Sequence, residues 1–174
     1  MKKTFALLTS FLVLACTGMA QDNIIGLKTI PSVDIKDIKG NPYNTSSISN
    51  NGKPIILSFW ATWCKPCIQE LTAISNDYDD WVEETGVKLV AVSIDDARST
   101  NLVQPLINGK GWDYDVLLDP NWDFKRAMNV VNIPQTFLID GSGKIVWQHT
   151  SFAEGSEQEL IEMVKKLNNG ETIN

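Results

Sequence analysis

Two cysteines three positions apart, Cys64 and Cys67, are the residues best placed to do chemistry in this chain. A C-x-x-C pair serves zinc ribbons, haem attachment and redox dithiols alike, so its surroundings decide among them. Zinc would want a second pair or several histidines, and the 174 residues hold three cysteines and a single histidine, His149. Haem attachment would want a histidine directly after Cys67, where Ile68 stands. A redox dithiol remains, with a static disulfide as the bland alternative; so short a loop closes little chain entropy and would stabilise weakly. No metal is expected, and no cofactor beyond a redox-active Cys64–Cys67 disulfide.

Reactivity depends on what holds the pair. Pro54 to Trp60 is an apolar run broken only by Ser58, the length of a central strand covered on both faces. From Lys65 to about Glu84, Ile68, Leu71, Ile74, Tyr78, Trp81 and Val82 recur at three and four, one helical stripe that Gly86 stops. The dithiol therefore sits where a buried strand ends and a long helix begins. Unpaired N–H groups and the positive dipole end favour a thiolate there, and the Lys65 ammonium adds to them. Pro66, in the first turn, breaks no helical hydrogen bond. Cys64 reads as nucleophile, and Cys67, one turn further in, as the resolving thiol.

The remaining elements frame that strand and helix. Pro31 to Asn41 alternates and turns at Gly40-Asn41 as a small hairpin. Val87 to Ile94 reads as a second buried strand, followed by a weaker helix near Ser99 to Asn108 and a short strand at Val116-Leu117-Leu118. A helical turn follows Asp119-Pro120. Thr136 to Ile139 and Lys144 to Gln148, joined by Asp140-Gly141-Ser142-Gly143, form a hairpin because that link is too short for a crossover helix. A last helix has Ser156 and Glu159 as a capping box, Leu160, Ile161, Val164 and Leu167 as its buried face, and Asn169-Gly170 as its stop. Strands alternating with helices, then a hairpin and a helix, predict an α/β fold with a mixed central sheet flanked by helices.

Lys2 and Lys3, the apolar run Phe5 to Ala15 and the small residues after it read as an export signal, too short to span a bilayer. Gly18-Met19-Ala20 offers cleavage after Ala20, the favoured reading; Leu12-Val13-Leu14-Ala15-Cys16 resembles a lipobox, which would make Cys16 a lipid anchor. The expected divisions are a signal peptide over 1–20 (or a lipoprotein signal over 1–15), a flexible segment over 21–30, one domain over 31–168 and a tail over 169–174. Export places the protein in the periplasm, free or membrane-anchored, where disulfides persist. A net charge of −6 without a basic run excludes a nucleic-acid footprint.

Phe59-Trp60-Ala61-Thr62-Trp63-Cys64-Lys65-Pro66-Cys67 resembles the active-site segment of thioredoxins. The span from about Pro31 to Leu167 resembles the TlpA/ResA branch, exported bacterial proteins of thioredoxin fold. Asp37-Ile38-Lys39-Gly40 is similar to the N-terminal hairpin of that branch, Arg98 to Leu118 to its central helix–strand insertion, and Ile133 to Asp140 to its cis-proline segment. The resemblance implies a cis bond before Pro134 and a backbone at Ile133 that receives an extended substrate, with Trp63, Lys65 and Pro66 lining the approach. It also makes Glu70 a proton acceptor for Cys67, against the ordinary reading of a solvated helix glutamate; the acid that thioredoxins carry on the central strand is replaced by Ser58. Two departures stand out: Thr72 where the family has proline, which bears on the helix around Glu70, and Ser151 where glycine is common. His149, Trp112, Trp122 and Trp147 read as structural.

These residues imply dithiol exchange in which Cys64 attacks a disulfide and Cys67 releases the product. The resemblance implies exported disulfide-bearing proteins as substrates, apocytochrome c among them, and a membrane thiol reductant as redox partner. Alternatives are an isomerase or oxidase of the same fold, a non-enzymatic binding module with a passive disulfide, and a peroxidase, whose Pro-x-x-x-Thr/Ser-x-x-Cys pattern is lacking.

Overall fold

The central strand β3 (Ile55–Trp60) is buried along its whole length, as its unbroken apolar run requires. It pairs in parallel with β4 (Lys88–Ser93) and antiparallel with β6 (Gln135–Ile139). The computed structural model describes residues 29–173; the expected leader and Cys16 lie outside the described residues. Their sheet has seven strands in the order β2-β1-β5-β4-β3-β6-β7, mixed in direction. The α/β thioredoxin fold expected from the sequence is the fold observed.

Alternation along β3 sends side chains to two layers. Phe59 meets Phe124 and Phe137 on one face, at ring distances of 5.2 and 6.0 Å. Trp60 and Ser58 point the other way, to Trp112 at 5.3 Å and to Thr136. That second layer contains α1 (Lys65–Thr85), which ends at Gly86 in the left-handed region, φ 69°, a conformation that costs glycine nothing. Tyr78 fixes the helix to the sheet by accepting the Leu89 N–H at 2.9 Å. Each fully buried Leu, Ile or Phe of this core contributes roughly 1.5–3 kcal/mol.

The entry hairpin is β1 (Asp34–Asp37) and β2 (Pro42–Asn44). Asp37 builds its turn by accepting the N–H groups of Lys39 and Asn41, both at 2.8 Å. β1 then lies antiparallel beside β5 (Asp115–Leu118), the strand delivered by α2 (Val103–Lys110). The short α3 (Asp123–Ala127) follows, and β7 (Ile145–Thr150) closes a hairpin with β6. α4 (Ser156–Asn168) packs on α1.

Several details differ from expectation. Val82, assigned to the buried stripe of α1, is exposed, because a position next to Trp81 is already rotated off the face. The capping box of α4 does not form: Gly155 is the cap residue, Ser156 is the first helical one, and Glu157 accepts the Gly155 N–H at 3.1 Å. The fold also reaches past its expected bounds, since Thr29 bridges to Lys144, and Ile30 and Ile173 pack against the core.

Candidate active site

β3 delivers its chain directly into the dithiol. Cys64 is the cap residue of α1, Lys65 its first position and Pro66 its second, so the missing proline N–H is one the helix would not have used. Cys64 and Cys67 are joined as a disulfide. The Cys67 N–H points at Cys64 Sγ, 3.3 Å away, and the Ile68 N–H donates to the Cys64 carbonyl at 3.1 Å. Cys64 keeps 5% of its surface exposed and Cys67 none, so an incoming molecule reaches Cys64 first. Trp63 is 63% exposed beside it, and Lys65 and Pro66 are exposed as well.

The cis bond between Ile133 and Pro134 lies at the same end of the sheet. Gln135 is paired with Phe59, so the residue before Gln135 is level with the exit of β3 toward Cys64. Pro134 is buried and Ile133 half-buried. The backbone N–H and C=O of Ile133 have no hydrogen-bond partner among the described residues, whereas the Pro134 carbonyl accepts Ser151 N–H at 3.0 Å.

Glu70 is not a solvated helix residue. It lies one turn beyond Cys67 on the buried side of α1, where Oε1 accepts the Thr136 hydroxyl at 2.8 Å. Thr136 Oγ1 is also 3.2 Å from Ser58 Oγ, so the small residue on β3 leaves room for an acid supplied by the helix. Thr72 does not disturb this arrangement, because α1 runs without a break through that position. His149, read as structural, places Nε2 3.2 Å from Glu70 Oε1.

Two more features escaped the sequence reading. Asp95, fully buried at the end of β4, accepts the Thr62 N–H at 2.8 Å, the Thr62 hydroxyl at 2.6 Å and the Ser93 hydroxyl at 2.8 Å. It thereby fixes the loop that carries Trp63 and Cys64. The signal was an acid at the end of an otherwise apolar strand run. Trp122 is exposed rather than packed: its backbone is left-handed, φ 61°, and its indole N–H donates to the Ile94 carbonyl at 2.7 Å. Trp63 and Trp122 both line a groove of about 380 Å³ with Ile94, Asp96, Arg98 and Ser99. Among the described residues no cluster of three or more His, Cys, Asp or Glu side chains is placed to hold a metal ion.

A dithiol at a helix start, opposite a cis-proline on an antiparallel neighbour of the same strand, is an arrangement for thiol–disulfide exchange. Residues 27–148 match the model of the AhpC/TSA family. The chain belongs to that family. It is 30% identical over 141 residues to the thiol-disulfide oxidoreductase ResA of Bacillus thuringiensis (strain Al Hakam), covering 80% of this chain and 77% of that protein. Among solved structures, an uncharacterized thioredoxin-like protein from Porphyromonas gingivalis is 54% identical with a TM-score of 0.72, over 80% of this chain and 92% of the other. A thiol:disulfide interchange protein of the thioredoxin family from Chlorobium tepidum, 24% identical with a TM-score of 0.65 over 81% of this chain and 96% of that one, shares the fold. The chain is a thiol-disulfide oxidoreductase of thioredoxin fold.

Proposed function

We propose that the chain works outside the cytoplasm as a reductant of disulfides in exported proteins. Cys64 is the nucleophile and Cys67 the resolving thiol. In the reduced enzyme the Cys64 thiolate attacks a substrate disulfide and forms a mixed disulfide, releasing one substrate sulfur as a thiol. Cys67 then gives its proton to Glu70 and attacks Cys64 Sγ, and the second substrate sulfur leaves. Two electrons have passed to the substrate, and the enzyme is left as the Cys64–Cys67 disulfide. The observation that carries this reading is the difference in exposure within the pair: Cys64 keeps a small accessible surface at the edge of the fold, 5%, and Cys67 keeps none.

Ile133 offers its unpaired backbone to an extended substrate segment, while Trp63, Lys65 and Pro66 contact it from the dithiol side. An export signal over 1–20, or a lipid anchor at Cys16, brings the enzyme to the periplasm. There a membrane thiol reductant resets the pair, and disulfides of apocytochrome c, which must become dithiols before haem attachment, are among the substrates. No resident cofactor takes part. Leu57 and Ala61 occupy the positions, seven and three before Cys64, where the peroxidase pattern has Pro and Thr or Ser; peroxide reduction is accordingly not proposed.

The test is reduction of insulin by dithiothreitol with and without the enzyme, together with equilibration of the pair against a glutathione series. Acceleration and a potential near or below about −270 mV are expected; no acceleration, or a potential near about −120 mV, would overturn the reductant reading. Export is tested by fusing residues 1–20 to a reporter that is active only outside the cytoplasm.

A further inference from the structure

Glu70 is a buried carboxylate in contact with a partly exposed imidazole. Its side chain is 3% exposed, and that of His149, 3.2 Å away, is 24% exposed. The surroundings of the carboxylate hold little else that ionises. On α1 the neighbouring turn supplies Cys67; β3 supplies Ser58 and β6 supplies Thr136, neither of which ionises. β7 supplies His149, whose ring rests against Trp147 at 4.9 Å. The residue before β5, Tyr114, has its phenol driven up by burial first and by the negative charge of Glu70 second. From α4, and from every other described element, no Lys or Arg comes within ion-pairing distance of Glu70.

A proton taken from Cys67 would stay on such a carboxylate, away from water, until the pair is reduced again, unless a neighbour passed it on. We propose that His149 is a positioning residue for dithiol exchange, which passes the proton that Glu70 takes from Cys67 on to solvent. The inference rests on the exchange chemistry of Cys64 and Cys67, and not on its direction.

The step balances without a further reagent. As Cys67 Sγ attacks Cys64 Sγ, the bond from Cys64 to the substrate sulfur breaks, and that sulfur leaves with the electron pair and takes a proton from water. The Cys67 proton moves to Glu70 Oε1 and from there to the lone pair of His149 Nε2. The ring then releases its Nδ1 proton to water. Thr136, which donates to the same Oε1, holds the carboxylate in line with the ring. In the opposite direction the same atoms deliver a proton to the Cys67 thiolate as the disulfide opens.

The experiment follows the reduced full-length protein by stopped flow against an aromatic disulfide, over about pH 5 to 9, where imidazoles titrate. The first phase, formation of the mixed disulfide by Cys64, should be the same in wild type and His149→Gln within about twofold. The second phase, release by Cys67, should slow roughly tenfold or more in His149→Gln, the low end for lost acid–base assistance, and keep only the pH dependence of the thiol itself. Added imidazole should restore it in His149→Ala. A second phase unchanged in rate and pH profile in His149→Gln would overturn the proposal. Absence of the first phase in wild type would overturn the exchange chemistry itself, and the proposal with it.

A measurement on the wild type does not depend on how the variants fold. His149 is the sole histidine of the chain, so its ring resonances are unambiguous. They should move between the oxidised and reduced enzyme at fixed pH, and cease to do so in Glu70→Gln; ring signals indifferent to redox state would overturn the proposal.

Discussion

Thr62 is held to Asp95 by two hydrogen bonds, one from its backbone N–H at 2.8 Å and one from its hydroxyl at 2.6 Å. The link ties the loop before Cys64 to the end of β4, so the approach to the dithiol is set by a residue 33 positions away. Asp95→Ala leaves the Thr62 and Ser93 donors unpaired at a buried site. Denaturant unfolding should show a loss of about 2–3 kcal/mol, and the folded variant should react more slowly at Cys64 with a disulfide probe. Unchanged stability would mean that the loop is held by something else.

Ser151 stands where glycine is common in the family the chain resembles, and its backbone conformation is one that favours glycine. Its φ of 80° lies in the left-handed region, which a Cβ disfavours. Ser151→Gly should remove that strain while keeping the N–H donation to the Pro134 carbonyl. After allowing for the greater freedom of glycine when unfolded, a gain of about 0.5–1 kcal/mol is expected. Thermal unfolding should then shift upward by roughly 2–4 °C for a gain at the top of that range.

Tyr114 makes a prediction about alkaline pH. Burial, and then the Glu70 charge, hold its phenol well above the usual tyrosine value. Tyr78 and Tyr43 are also raised, chiefly by burial. An unfolded chain loses these protons near pH ~10, so above that point the native state binds more protons than the unfolded one. Stability present below about pH 10 is therefore lost as the pH rises further. Tyr114 Oη has no hydrogen-bond partner among the described residues, so Tyr114→Phe should change stability at neutral pH by less than about 1 kcal/mol. Urea unfolding above pH ~10 should show the variant losing less stability than wild type.

Gly141 separates folding from catalysis. A Cβ there would come within 2.0 Å of the Gly52 carbonyl oxygen, at the end of the sheet where Ile55 pairs with Ile139, away from Cys64. Gly141→Ala should cost on the order of 2 kcal/mol or more, because backbone must move. The activity of the molecules that remain folded should be unaltered, which active-site titration against a stability curve can check.

The β3 strand, the α1 helix and the dithiol between them were legible in the sequence because each rests on local pattern: an apolar run, a three-and-four repeat and a C-x-x-C at their junction. The partner of Glu70 was not legible, for a reason of register. Counting back from the Ile139–Ile145 pair without interruption would set Gln148 opposite Thr136 and turn His149 to the other face. An irregularity between Leu138 and Ile139 instead pairs Leu138 with Trp147 and Thr136 with His149. One extra residue thus moves the imidazole to the side of the sheet where Glu70 lies. Asp95 and Trp122 were missed because their contacts depend on loop geometry, which has no sequence period.

The entry hairpin has a consequence for solubility. β1 covers the flank of β5 that would otherwise stand open, and the sheet ends on that side in β2, three residues beginning with Pro42. So short a margin, with a proline that cannot donate, is a poor template for another chain. An enzyme whose proposed clients are extended and incompletely folded would otherwise risk co-aggregating with them there. With that side silenced, the proposed client contact is left to the Ile133 backbone beside Cys64, which has no partner among the described residues.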